Sequence, residues 1–198
     1  MRSPQTKNII AIVLAAGSAT RFGSSKQLAE FDGKPLAKRA LDTAVTVFGD
    51  STALVLGHNW REVAQSCSPL PGFLIVNDQH ERGLGSSIAC AIRSVRHSAQ
   101  AIIVMLADQP LITAKHLQHL RDSWSGADNE IVATEFGGTA GPPVLFPRAC
   151  FNDLATLQGE TGGRHLLSDE RFTVRKIGFE PASVDIDTPA ALDELTGR

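Results

Sequence analysis

Every position in residues 9–14, IIAIVL, is apolar, and the run stops at Ala-Ala-Gly. A continuous apolar run of strand length, rich in β-branched side chains, fits a strand buried on both faces. The period changes after Pro35. In PLAKRALDTAVTVFG, Leu36, Ala40, Leu41, Ala44, Val47 and Phe48 fall on one helical stripe. Proline in the first turn and Gly49 just past the end punctuate that helix. Residues 52–56 and 73–76 read as further strands, with a short helix at 60–66 between them. SSIACAIRSVRH predicts a helix entered through the Gly83-Leu84-Gly85 turn, and AIIVML is a second fully apolar strand. Thr113 can cap a helix that ends near Trp124. Later strands are expected at 131–134, 144–146 and 173–178, and a last helix from Pro189. Strands alternating with helices imply an α/β fold: a doubly wound, mainly parallel, Rossmann-like sheet. With no linker or repeat in view, residues 1–198 read as a single domain, residues 1–8 forming a flexible start.

Composition narrows the function classes. At 198 residues and 42% hydrophobic content, the chain can bury one substantial core. A net charge of -2 gives no basic field for nucleic acid. Cys67, Cys90 and Cys150 are odd in number and far apart, without a CxxC pair. A disulfide framework is therefore not expected, and a reducing cytoplasm is. The apolar run near the start is too short to span a bilayer, so no membrane role is expected.

The chemistry concentrates at predicted strand ends. VLAAGSATRFGSSKQL follows the first strand and matches neither GxGxxG nor GxxxxGK[ST]. It still offers what a polyphosphate needs. Gly17 permits close backbone approach, consecutive N–H groups can form an anion nest, and Arg21 and Lys26 supply cations. Ligands of open α/β sheets sit outside the carboxyl ends of the strands, where this loop falls. Asp108 ends the AIIVML strand and is placed to hold Mg²⁺, which takes one or two carboxylates plus substrate phosphates. A turn or cap role before Pro110 is the alternative. In Val184-Asp185-Ile186-Asp187-Thr188-Pro189 the two aspartates alternate to one side, and either could be a second metal carboxylate. Asp187 or Thr188 could instead cap the last helix. The serines of GLGSSI open a helix whose free N–H groups suit a nucleotide or an ordinary cap. The six histidines are scattered, and none is assigned to catalysis.

The run VLAAGSATRFGSSKQLAEFDGKPL resembles the signature loop of nucleotidyltransferases with the nucleotide-diphospho-sugar transferase fold. NDQHERGLGSSI, LADQP, GPPVLFPRACFNDLATLQGETGGRHLL and DIDTPAALDEL follow in the order seen in molybdenum cofactor cytidylyltransferases. The resemblance thus covers residues 9–195. It implies that the backbone of Leu14, Ala15, Ala16, Gly17, Ser18 and Ala19, with Arg21 and Lys26, holds a triphosphate. Asn77, Gly85, Ser86 and Ser87 would touch base and ribose. Asp108 would bind Mg²⁺, assisted by Asp187 or Asp185. Gly141, Pro142, Pro143, Gly162 and Arg164 would face a molybdopterin-type acceptor. Its terminal phosphate would attack CTP and release pyrophosphate, with a molybdoenzyme or its chaperone as recipient. The Ala15-Ala16 pair favours the cytidylyl over the guanylyl branch. Pro142, Glu160 and Ala190-Ala191 depart from the family pattern, the first two on the acceptor side. A transferase using another NTP or acceptor, and a non-catalytic nucleotide- or cofactor-binding chaperone, are the competing readings. Arg21, Lys26 and Asp108 together argue against the chaperone, and the missing GxGxxG against an NAD oxidoreductase.

Overall fold

The computed structural model describes residues 8–17, 22, 25–70 and 72–197. In chain order, β1 is Ile9–Ala15, followed by a small hairpin of β2 (Glu30–Phe31) and β3 (Lys34–Pro35). Next come α1 (Leu36–Phe48), β4 (Thr52–Leu56), α2 (Trp60–Ser66), β5 (Phe73–Val76) and α3 (Leu84–Val95). The second half comprises β6 (Ala101–Leu106), α4 (Ala114–Ser123), β7 (Glu130–Phe136), β8 (Thr139–Pro147), α5 (Phe151–Leu154), β9 (Thr173–Gly178) and α6 (Pro189–Thr196).

Seven strands form one sheet in the order β5-β4-β1-β6-β8-β7-β9. The chain steps from β1 through β4 to β5 in one direction, then returns to place β6 on the other side of β1. That reversal opens a crevice between the carboxyl ends of β1 and β6, where ligands of such sheets bind. Strand β1 is buried throughout, and its alternating side chains feed two cores. Ala11 and Val13 meet Ala40, Leu41 and Ala44 of α1 and Leu117 and Leu120 of α4. Ile10, Ile12 and Leu14 meet Ile88, Ala91 and Ile92 of α3. Each fully buried Val, Leu or Ile side chain contributes about 1.5–3 kcal/mol, so the crevice is set against the buried core.

The parallel sheet expected from the sequence is present, with β8 as its antiparallel member. Strand β8 is also far longer than the expected 144–146. Two prolines cannot donate to a ladder, so PPVLF reads as a strand only after them. A register shift at Ala133/Thr134 carries the pairing past Pro142 and Pro143 to Gly141. The β7–β8 hairpin closes through Gly137 and Gly138, both at positive φ (52° and 72°), as a tight two-residue turn requires. Among the described residues, no helix is long and apolar enough to cross a membrane.

Candidate active site

At the crevice, β1 runs on into Ala16 and Gly17, and β6 into Ala107 and Asp108. The Ala107 N–H donates to the Leu14 carbonyl at 3.0 Å, tying the two strand ends together. Gln27, buried in the turn Lys26–Leu28, donates its side-chain amide to the Gly17 carbonyl. This turn aims Lys26 across the gap. Its ammonium lies 2.7 Å from Asp108 Oδ2 and 2.9 Å from Asp187 Oδ1. The other Asp108 oxygen, Oδ1, is buried without a hydrogen-bond partner.

Asp187 comes from a segment far away in sequence, and Ile186 brings it here. Ile186 is fully buried with Phe22, Phe31 and Leu36. Its N–H donates to the Asp108 carbonyl at 3.0 Å. Asp185 and Asp187 on either side are exposed, as strand alternation requires. Capping of α6 falls to Thr188, whose hydroxyl accepts from the Ala191 N–H at 3.2 Å.

The electrostatics follow from this convergence. Burial alone would lower the Lys26 pKa, but Asp108 and Asp187 outweigh it and hold the ammonium above its ordinary value. Desolvation, reinforced by the charges of Asp108 and Asp187, pushes Asp185 up to about 6. Among the described residues, the Lys26 ammonium faces three carboxylates here, those of Asp108, Asp185 and Asp187.

Above the carboxylates lies a cleft of about 350 Å³. Its walls include Leu14, Ala15, Ala16, Gly17, Lys26, Asp108 and Ser87. Asn77 stands behind the wall: it is buried, and its amide donates to the Ser86 and Ser87 hydroxyls at 2.9 and 3.0 Å. Ser86 in turn donates to the Gly83 carbonyl at 2.8 Å. Asn77 and Ser86 thus shape the turn, and Ser87 presents its side chain at the cleft. Ser18, Ala19 and Arg21 lie outside the described residues.

Gly83 and Gly85 have a packing reason. A Cβ on Gly83 would meet the Gly159 carbonyl at 2.5 Å, and one on Gly85 would meet Gln158 backbone atoms at 2.8 Å. The Gly85 N–H donates to the Gly159 carbonyl at 2.8 Å. The start of α3 is therefore clamped to residues 158–161, and Glu160 joins the cleft wall. The expected acceptor residues lie apart from that wall. Gly141 and Pro143 are buried within β8, and Pro142 and Gly162 are half-buried. Arg164 is exposed and donates to the Thr139 hydroxyl.

Sequence reasoning missed His80 and Gln27; Glu160, expected on the acceptor side, lines this cleft. His80 lines the cleft, and its Nδ1 is buried without a partner. The Gly-x-Gly spacing was the signal for Glu160, because it marks where another loop presses on the helix. For Gln27 and His80 there was no comparable signal.

Among the described residues, no group of three or more His, Cys, Asp or Glu side chains forms a metal cage. What the site offers is the Asp108 carboxylate, the Lys26 ammonium, the Ala16-Gly17 backbone and the start of α3 around one cleft, with Asp187 on the ammonium beside it. This is equipment for a charged ligand. A family model for the MobA-like NTP transferase domain matches residues 11–174. The chain belongs to that family. The purine catabolism protein PucB of Bacillus subtilis is 29% identical over 204 residues, covering 98% of this chain and 97% of PucB. Among solved structures, Rv0371c of Mycobacterium tuberculosis is 28% identical with a TM-score of 0.83, each chain covered in full. Its manganese complex is 27% identical with a TM-score of 0.80, covering 96% of this chain and 99% of that one. This MobA-like chain is thus a nucleotidyltransferase by family and fold.

Proposed function

We propose that the protein transfers CMP from CTP to the terminal phosphate of a molybdopterin-type acceptor, with Mg²⁺ as cofactor. The observation that carries this is the Lys26 ammonium held between Asp108 and Asp187 at the foot of the β1–β6 crevice. An acceptor phosphate oxygen forms a bond to the α-phosphorus of CTP, the α–β anhydride bond breaks, and pyrophosphate leaves. Such a displacement needs alignment and charge neutralisation more than a protein nucleophile.

The metal fits the residues present. The bare Asp108 Oδ1 and the two converging carboxylates form an oxygen donor set suited to a hard divalent ion. Manganese in the Rv0371c complex supports the same reading. When bound, the ion would offset the charge on the phosphate oxygens around the α-phosphorus. Lys26 supplies a mobile positive charge to the triphosphate, and the N–H groups of Ala16 and Gly17 line its path. Ser87, at the start of α3, adds a hydroxyl beside the positive end of the helix dipole. Arg164 is the exposed cation offered to the acceptor.

The choice of cytosine and of molybdopterin rests on the resemblance of Ala15-Ala16 and of the downstream segments. Pyrophosphate release is measured with each of the four NTPs, with and without molybdopterin. The expected result is release that requires both CTP and molybdopterin. Faster turnover of GTP would replace the cytidylyl reading with a guanylyl one. Tight nucleotide binding without release under any combination would favour a binding chaperone.

A further inference from the structure

The position between Asp108 and Asp187 is held by a cation of the protein's own. The Lys26 ammonium stands 2.7 and 2.9 Å from the two carboxylates, and its side chain is only 17% exposed. A divalent ion held by the same two carboxylates would stand within a few ångströms of the ammonium, and the two charges would repel strongly. Among the described residues no group of three or more His, Cys, Asp or Glu forms a cage there, so few described protein ligands offset that repulsion. Mg²⁺ and Mn²⁺ at such sites complete their shells with water and substrate phosphates. The turn that carries Lys26 is anchored by Gln27 on Gly17, so exchange requires motion of the lysine side chain alone. Rotation of that kind takes nanoseconds or less.

We propose that Lys26 is a cation placeholder: it blocks the Asp108–Asp187 position in the free protein and vacates it when a triphosphate draws the ammonium away. Divalent ion and nucleotide therefore enter together, and the free protein does not store metal. This rests on the nucleotidyl-transfer reading for the identity of the triphosphate, but it concerns the order of binding.

The test uses metal-stripped protein and Mn²⁺ alone, with bound ion read by water-proton relaxation enhancement. Lys26→Met removes the charge and keeps the stem, and Lys26→Gln is a second variant should Met impair folding. The parent is expected to bind Mn²⁺ weakly, both variants at least tenfold more tightly. In melting experiments Mn²⁺ alone should raise the Tm of the variants and leave the parent unmoved. Adding α,β-methylene CTP should tighten Mn²⁺ binding to the parent and change the variants far less. Folded variants that bind Mn²⁺ no better than the parent would overturn the proposal. So would a parent that binds Mn²⁺ at full affinity without nucleotide, a result that needs no variant. Pyrophosphate release by the parent is followed in parallel. Turnover with unchanged Mn²⁺ affinities would sink the placeholder and leave the transferase, whereas tighter Mn²⁺ binding without turnover would do the reverse.

Discussion

Two polar clusters sit on the same sheet and are built in opposite ways. Lys26, Asp108 and Asp187 are charged, 17%, 24% and 61% exposed, and leave a buried carboxylate oxygen unpartnered. His116 of α4 and Thr134 of β7 are buried. His116 Nε2 lies 2.8 Å from Thr134 Oγ1, which donates to the Pro143 carbonyl at 2.8 Å. Thr134 has spent its proton, so the imidazole must donate through Nε2. Phe179 stacks on its ring at 4.2 Å. Burial, and to a lesser extent His119, lower the His116 pKa to about 4. The second cluster is complete and serves the fold. The first leaves a buried oxygen of Asp108 without a partner, and unsatisfied polar groups of that sort mark functional sites.

The largest expected effect lies at the buried anchor of the first cluster, Ile186. Ile186→Ala should cost about 2–4 kcal/mol of stability through the cavity it leaves. It should also lower turnover, because Asp187 loses its anchor. Thermal melts and pyrophosphate release read the two effects. Unchanged turnover would show that Ile186 does not position the carboxylate.

The complete cluster should respond to pH. His116 is neutral when folded, and the unfolded chain takes up a proton near pH 6.5. Stability is therefore full above about pH 6.5 and is lost as the pH falls toward 4, by at most about 3 kcal/mol. Denaturant melts across that window should show the slope in the parent and lose most of it in His116→Gln. An equal slope in both would place the titration elsewhere.

Lys26→Ala should cost transfer on the order of 1.5–3 kcal/mol in kcat/KM, the value of a charge-assisted contact. Parental kcat/KM in this variant would remove Lys26 from the phosphate cradle. Asp185→Asn should have the smallest effect, because Asp187 holds the position next to Lys26. A loss for Asp185→Asn exceeding that for Asp187→Asn would reverse the assignment.

The sequence foretold the two clusters unequally. Apolar runs bounded by turns set β4, α2, β5 and β9 at the expected residues, because length and punctuation alone define such elements. Asp108 and the DID alternation were legible for a related reason: each stands next to a buried strand or a buried isoleucine. The ion pairs of Lys26 were not legible. They join residues 82 and 161 positions apart, and no local pattern encodes such a meeting. The hydrogen bonds of buried Asn77 to Ser86 and Ser87 were hidden in the same way. Strand β8 was misjudged because Pro142 and Pro143 mask a ladder that a bulge restores.

The most direct test of an incomplete, catalytic first cluster is pyrophosphate release from CTP by Asp108→Asn over a range of Mg²⁺ concentrations. Asparagine keeps the shape and the turn hydrogen bonding but removes the charge. Activity is expected to fall roughly 100-fold or more, with the melting temperature little changed and partial recovery at high Mg²⁺. Turnover by Asp108→Asn at the parental rate, with the parental Mg²⁺ dependence, would contradict the account.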